Sequence, residues 1–531
     1  MRKSISLLIF IALIISSCSS STEEVAVDAD QANAAIANTD PIQKFVPTSL
    51  PPGTTLGTPT PDGVSLFFPT YTPLPQMAAD TVFVTPTPGS QTYTVGDGDF
   101  WGIIAEKLDV SVEDLLNANN MTEFDVIYPG DSLVIPSSSP SNQTAAGTGS
   151  TSSANYSDYF KIIPDSELVY GPLTARFNVA DFINSKGGYL STYTQEVTGR
   201  QLTGVQIVEE ISKSYSVNPK VLLALLEYRS GWVTQKDPAS GAPDTPIGYI
   251  DDYHVGLYRQ LLFSADLMNE GFYGWREKKL TSLNRTDGTS ISPALGLNAG
   301  TVAFHNLFAF FDSANDWSID TGSNGIYTTY QTLFGNPFEM TVDPIVPDGL
   351  VQPLYSLPFQ AGEKWHFAGG PHGGWDHGSA WAAVDFAPPG DPIGCGPSDA
   401  WSTAIAPGLV IRSDNGAVVV DLDGDGYEQT GWTILYMHME ARDVVSPGTT
   451  VKEGDHIGHP SCDGGVAVAD HLHLARRYNG VWIAAADPKY PFILGNYNVI
   501  ASDTEYDGWL KSGGTSIEAL DGYNDSNIIT R

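Results

Sequence analysis

His471-Leu472-His473 sets two imidazoles two positions apart. In a strand, alternate side chains share a face, so both rings look into one cleft while Leu472 looks the other way. The chain has ten histidines, and eight of them fall between His366 and His473. His438 ends a predicted strand in ILYMHME, and Asp385 ends another in WAAVDFAPPG. His366, His372, Asp376 and His377 lie upstream. Imidazoles and a carboxylate gathered in this way are the donors of a transition-metal site. Three protein ligands leave a position open for water or substrate, and additional imidazoles nearby can carry protons.

These side chains need elements to position them. Residues 346–500 hold short apolar runs (LVIRSD, GAVVVDLD, GWTILYMHM, HLHLARRY) bounded by Gly, Asp and Pro, which predicts a mainly β domain with an antiparallel sheet and long loops. Asp421, Asp423 and Asp425 alternate as at the opening of a calcium loop. Trp432 stands where that loop needs its closing glutamate, so a polar hairpin turn is expected. Trp365, Trp375, Trp381, Trp401 and Trp482 could line a groove or fill the core. Residues 157–345 read as a mainly helical middle domain, with QIVEEISKSY, a break at Asn218-Pro219, and VLLALLEYRSGW. Residues 501–531 show little pattern and read as a C-terminal tail. Residues 91–137 give strand, helix, helix, strand. Residues 18–90 are a Pro/Thr-rich linker, and residues 138–156 a Ser/Gly/Thr linker. At the start, Arg2 and Lys3 precede an apolar run from Ile5 to Ile15. It is too short to span a bilayer and reads as a signal peptide over residues 1–17.

Several stretches resemble known families. Ile15-Ser16-Ser17-Cys18 is similar to a bacterial lipobox, which implies lipidation at Cys18 and an anchor in the membrane through lipid alone. An exported compartment then leaves Cys395 and Cys462 as the candidate disulfide. Tyr93-Thr94-Val95, Gly98-Asp99, Leu115-Leu116-Asn117-Ala118-Asn119 and Pro129-Gly130-Asp131 resemble a LysM module (βααβ), which implies binding to the glycan of peptidoglycan. Phe100 stands where that family usually has Thr or Ser. Pro219, Leu222 to Leu226 and Ser230-Gly231-Trp232 resemble the active-site helix of lysozyme-like transglycosylases, but Arg229 occupies the place of the catalytic glutamate. An arginine cannot donate a proton to a glycosidic oxygen, and Glu227 lies on another side of the helix.

Residues 366–482 resemble the lysostaphin-type zinc metallopeptidases, and the β-lytic (staphylolysin-like) branch in particular. The matching residues are Gly369-Gly370-Pro371-His372, Asp385-Phe386, Tyr436-Met437-His438, Glu453-Gly454-Asp455 and His471-Leu472-His473. Most members place a histidine four residues before the aspartate, where this chain has Trp381. The β-lytic branch uses a histidine after a Gly-Gly pair, which His372 fits, with His377 as its competitor. The resemblance implies Zn2+ held by His372, Asp385 and His473, with His438 and His471 as the catalytic pair. The implied activity is endopeptidase cleavage of peptidoglycan peptides, outside the cytoplasm.

The net charge of −35 disfavours nucleic acid and anionic lipid as partners. A catalytically inert wall-binding scaffold or hydrolase activator is the competing reading. Glycan cleavage through Glu227 is a third.

Overall fold

The computed structural model describes residues 92–95, 104, 107–108, 110, 112–119, 121, 131–135 and 160–531, except 238–242, 252 and 391–393. The expected signal peptide, Cys18, both expected linkers and parts of the LysM stretch lie outside the described residues.

In the small N-terminal unit, β1 (Thr92–Thr94) pairs antiparallel with β2 (Ser132–Val134), and α1 (Val112–Asn119) lies between them in sequence. Val95, Ile104, Leu115 and Leu133 form its core. Asn119 ties helix to strand, its side chain bonding both the N–H and the carbonyl of Val134.

The helical domain opens with the short α2 (Asp165–Leu168) and α3 (Val179–Lys186), then a hairpin of β3 (Thr194–Val197) and β4 (Arg200–Thr203). Next come α4 (Gly204–Tyr215), α5 (Pro219–Ser230) and α6 (Leu257–Arg276). Thr203 and Gln206 form a reciprocal cap on α4. Asn218 caps α5 with Pro219 in its first turn, so the Asn-Pro break ends one helix and starts the next. The tiny strands β5 (Leu283–Asn284) and β6 (Ser290–Ile291) precede α7 (Ala299–Phe311), α8 (Ala314–Asp320) and α9 (Ile326–Phe334). Among the described residues, no helix is long and apolar enough to cross a membrane.

The C-terminal domain is built on a nine-stranded antiparallel sheet. Its strands are β7 (Lys364–His372), β8 (Ala383–Ala387), β10 (Gly408–Asp414), β11 (Ala417–Asp421), β12 (Trp432–Met437), β13 (Thr450–Val451), β15 (Leu472–Tyr478), β16 (Val481–Trp482) and β21 (Ile528–Thr530). The order is β13-β10-β11-β12-β15-β8-β7-β21, with β16 pairing β15. Beside it, β9 (Ser402–Thr403) pairs β14 (His456–Gly458). A four-stranded sheet joins β17 (Ile493–Leu494), β18 (Tyr497–Ala501), β19 (Gly508–Ser512) and β20 (Thr515–Glu518). The segment expected to be a tail is therefore structured. It supplies β19, β20 and β21, and β21 closes the edge of the main sheet beside β7. Its strands are too short to carry a clear alternation, which is why the sequence pattern misses them.

Both faces of the sheet are buried, by different partners. Val384, Phe386, Val418, Val420, Ile434, Tyr436, Leu472 and Leu474 point into a core internal to the C-terminal domain. Ala383, Ala417, Val419, Leu435, Met437 and Ala475 point the other way, into a core shared with α4 to α7. Alternate residues of each strand thus feed different cores, and a strand such as AVVVD is apolar from Ala417 to Val420. Alanines on the helix-facing side let the helices approach closely. Polar ties follow: Ser216 Oγ donates to the Gly480 carbonyl, the Trp482 N–H to Tyr273 Oη, and Arg477 Nη1 to the Lys213 carbonyl.

Candidate metal centre

The centre forms where β7, β8 and β15 run side by side. Register pairs His473 with Asp385 on one neighbour and with Met437, the residue before His438, on the other. Gly369 lies opposite Asp385, and an irregularity in β7 carries the chain on to His372. A Cβ on Gly369 would meet Asp385 Oδ2 at 2.6 Å, so the backbone approaches the carboxylate as only glycine allows. Leu472 enters the opposite core, which turns His471 and His473 toward the cleft.

His372 Nε2 lies 3.3 Å from Asp385 Oδ1 and 2.9 Å from His473 Nδ1, and His473 Nδ1 lies 3.5 Å from the same oxygen. All three residues are buried. Among the described residues Asp385 Oδ1 has no hydrogen-bond partner, the two nitrogens approaching it without hydrogen-bond geometry. Leaving a buried carboxylate oxygen unpaired is expensive. Two nitrogen donors on one tetrahedral zinc, each at about 2.0–2.1 Å, sit roughly 3.3 Å apart, and these three atoms lie 2.9, 3.3 and 3.5 Å from one another, close to that spacing. The donor set therefore fits a metal ion.

Four imidazoles share one device: a ring nitrogen facing a backbone carbonyl. His372 Nδ1 faces Gly370 at 2.8 Å, His473 Nε2 faces Gly374 at 3.2 Å, His438 Nδ1 faces Asp463 at 3.1 Å, and His471 Nδ1 faces Ala469 at 2.9 Å. A carbonyl only accepts, so each of these nitrogens carries the hydrogen and the opposite nitrogen offers a lone pair. Those lone pairs are Nε2 of His372 and Nδ1 of His473 beside Asp385, and Nε2 of His438 and of His471 next to them. The His438 and His471 rings are 4.4 Å apart.

Charge follows the same division. Burial lowers the His438 pKa to about 3, with the nearby His471 and His473 adding to the effect, so this ring is neutral. Burial also lowers His473, against the pull of Asp385. At His372 burial favours the neutral ring, but the Asp385 carboxylate outweighs it and raises the pKa. Burial works against charge on Asp385 as well, yet the facing imidazoles hold it well below the usual carboxylate range.

Three non-glycine residues around the centre, Asp376, His438 and Tyr506, have φ of 59°, 65° and 69°. Such conformations cost on the order of 1–3 kcal/mol and gather at functional sites. Ser461 holds His438 in place, its N–H and Oγ both donating to the His438 carbonyl, at 2.7 and 3.0 Å. The next residue, Cys462, forms a disulfide with Cys395.

The other candidates lie elsewhere. His377 is largely exposed, 3.5 Å from Glu505. His366 contacts Asn527, and His456 and His459 flank Trp401. Trp365 and Trp482 are core residues. Glu227 spends its carboxylate on the turn after α5, accepting from the N–H groups of Val233 and Thr234, each at 3.0 Å. Arg229 pairs with Asp320 at 3.3 Å. Two residues next to the centre escaped the sequence reading. Tyr506 stacks on His372 with ring centroids 4.2 Å apart, and burial pushes its hydroxyl up to about 12. Glu505 accepts from the Gly373 N–H at 3.1 Å. The turn dipeptide Asp507-Gly508 was the available signal for this stretch.

Residues 93–136 match the family described as LysM domain, and residues 161–346 the family described as LasA, N-terminal domain. Protease LasA of Pseudomonas aeruginosa strain PAO1 is 25% identical over 330 residues, covering 57% of this chain and 72% of that protein. The chain is similar to LasA proteases. Protease LasA of strain UCBPP-PA14 aligns over the same length at 24% identity. Among solved structures, the deep-sea M23 metalloprotease pseudoalterin is 20% identical, covers 34% of this chain and 100% of its own, and has a TM-score of 0.27. The catalytic domain of lysostaphin from Staphylococcus simulans is 23% identical, covers 23% and 89%, and has a TM-score of 0.17. The helical domain is thus the stretch that matches the LasA N-terminal family, whereas its resemblance to lysozyme-like enzymes rested on α5 alone.

Proposed function

We propose that this protein is a zinc-dependent endopeptidase that cleaves peptide bonds of peptidoglycan, with His372, Asp385 and His473 as zinc ligands and His438 and His471 as the catalytic pair. The observation that carries this reading is the convergence of two imidazole lone pairs on an orphaned, buried carboxylate oxygen, with two further imidazoles adjacent. The likeness to LasA proteases and the LysM match give the reaction and its setting. When bound, zinc supplies Lewis-acid polarisation of the scissile carbonyl and acidifies a water.

The chain's own residues do the rest. Asp385 brings a full negative charge to the centre because its facing imidazoles keep it ionised. The Gly370 and Gly374 carbonyls fix the tautomers of His372 and His473. His438 and His471 present Nε2 lone pairs that take the proton of the attacking water and return it to the departing amine. Between these two transfers the ring that carries the proton donates a hydrogen bond toward the developing oxyanion.

LysM binding to glycan raises the local concentration of cleavable peptide without needing high affinity. Lipidation at Cys18 would hold the protein at the membrane, with the Pro/Thr-rich linker setting its reach into the wall. This places the work outside the cytoplasm.

The test is bound zinc together with peptide release from purified peptidoglycan, using the full chain and His473→Ala. About one zinc per chain and release that the substitution abolishes are expected. Zinc binding without release from any wall preparation would favour the inert scaffold.

A further inference from the structure

We propose that the 462–470 loop selects the peptide that is cut: Val466 and Val468 form an apolar rim beside the catalytic pair that favours alanine-containing wall peptides over all-glycine ones. This deepens the endopeptidase reading above and rests on it.

One short loop serves both members of the pair. Ser461 and His471 face each other as an antiparallel bridge, with the His471 N–H donating to the Ser461 carbonyl at 3.4 Å, and so close the loop at its base. From the first arm, the Asp463 carbonyl faces His438 Nδ1 at 3.1 Å. From the second, the Ala469 carbonyl faces His471 Nδ1 at 2.9 Å. Between these two carbonyls stand Gly464, Gly465, Val466, Ala467 and Val468.

The first arm is held where it passes His438. The Asp463 N–H donates to Ser461 Oγ at 2.9 Å, and Cys462 is tied to Cys395. Gly464 and Gly465 are both left-handed, with φ of 70° and 65°. A Cβ on Gly464 would lie 2.2 Å from the Asn415 carbonyl oxygen, so the chain turns against the connection between β10 and β11 where a side chain has no room. A Cβ on Gly465 would lie 3.6 Å from His438 Cε1. Val466 thus follows a residue that touches one catalytic ring, and Val468 precedes the residue whose carbonyl fixes the other.

Both valines are turned out to water, 95% and 88% exposed. A single exposed apolar side chain is ordinary. Here two fall within three residues, on a loop whose arms are fixed by the two rings they flank. In the proposed reaction the molecule that comes to these rings is the peptide being cut. A methyl group laid against a valine leaves water, and each one buried is worth about fourfold in affinity. Glycine has no side chain to lay there. Two alanines beside the scissile bond, partly covered, give a preference of about tenfold.

The test uses the full zinc-loaded chain and the double variant Val466→Ser/Val468→Ser, with end-blocked pentaalanine and pentaglycine as probes. Both positions are exposed, so the variant should keep its fold and its zinc. The wild type should cut pentaalanine with a kcat/KM about tenfold above that for pentaglycine. In the double variant the two values should fall within about twofold of each other, through loss on pentaalanine alone, and Val466→Ile/Val468→Ile should keep the preference. A wild type that favours pentaglycine would overturn the proposal, as would a preference that the serines leave untouched. Equal losses on both peptides would do the same, since the loop would then only support the two rings. If a zinc-bound wild type cuts neither probe and releases nothing from walls, the endopeptidase reading falls by itself. Calorimetric binding of the two uncut peptides then decides for the loop: tighter binding of pentaalanine that the serines remove supports its role, and equal or absent binding of the two rejects it.

Discussion

Two groups of potential metal ligands lie on the same sheet and differ in what their polar atoms have left to give. Around Asp385, each imidazole spends one nitrogen on a carbonyl and turns the other toward its partner ring and the carboxylate, whose Oδ1 is unpaired. At the end of β11, Asp421, Asp423 and Asp425 also lie within reach of one ion. Most of their oxygens already accept a hydrogen bond within the turn. Asp421 accepts from the Asp423 and Gly426 N–H groups, Asp423 from Asp425, and Asp425 from Tyr427 and the Thr430 hydroxyl. Burial, with Asp423 adding to it, raises the Asp421 pKa to about 7, so part of that site is protonated at neutral pH. Proximity of donors is common to both. A buried carboxylate oxygen without a hydrogen-bond partner belongs to one.

The sharpest way to break this contrast is Asp385→Ala. Zinc content should fall to background and peptide release by at least about 100-fold, beyond the effect of losing a supporting group. His438→Ala or His471→Ala should lower kcat by roughly 10²–10⁴-fold while zinc stays bound, separating ligands from proton carriers.

His305 sharpens the lesson from a third direction. It is fully buried, and neither ring nitrogen has a partner among the described residues. Yet it packs edge-on against Trp317, and among the described residues no carboxylate pairs with either ring nitrogen, so burial alone makes no site. Burial lowers its pKa to about 3, so the unfolded chain binds a proton below about pH 6.5 that the folded chain refuses. Stability tied to this group is present above pH 6.5 and is lost as pH falls toward 3. His305→Leu should therefore lessen acid destabilisation between pH 6.5 and pH 4 by roughly 1–3 kcal/mol, read from denaturant midpoints at each pH. The smallest effect belongs to the acidic turn. Calcium should leave the melting temperature unchanged, and Asp423→Asn should shift stability by less than about 0.5 kcal/mol.

The site was legible in the sequence wherever its geometry is local. His471-Leu472-His473 needs only strand alternation, and Asp385 and His438 end runs that are plainly apolar. The resemblance favoured His372 over His377, and the fold brings His372 to Asp385 while His377 faces solvent. What escaped depends on distant pairing. Tyr506 reaches His372 through a turn between two short strands, and β21 joins the sheet from the far end of the chain. The packing of the helical domain on the sheet was equally hidden. Ala417 and Val419 differ from Val418 and Val420 in which core they enter, and an unbroken apolar strand does not say what covers each face. A fragment ending at residue 500 would cut the β18–β19 pairing and remove β21.

The Cys395–Cys462 link has a consequence for timing. It closes on the residue between Ser461 and Asp463, the two that hold His438 by its carbonyl and by its ring. Thiols stay reduced in the cytoplasm and pair after export. On the proposed function, the chain is made in the first compartment, and the wall it would cut lies in the second. On that function, the loop that holds His438 would thus be fastened by the chemistry of the place where cutting is wanted, and a molecule still inside the cell would carry that loop unfastened.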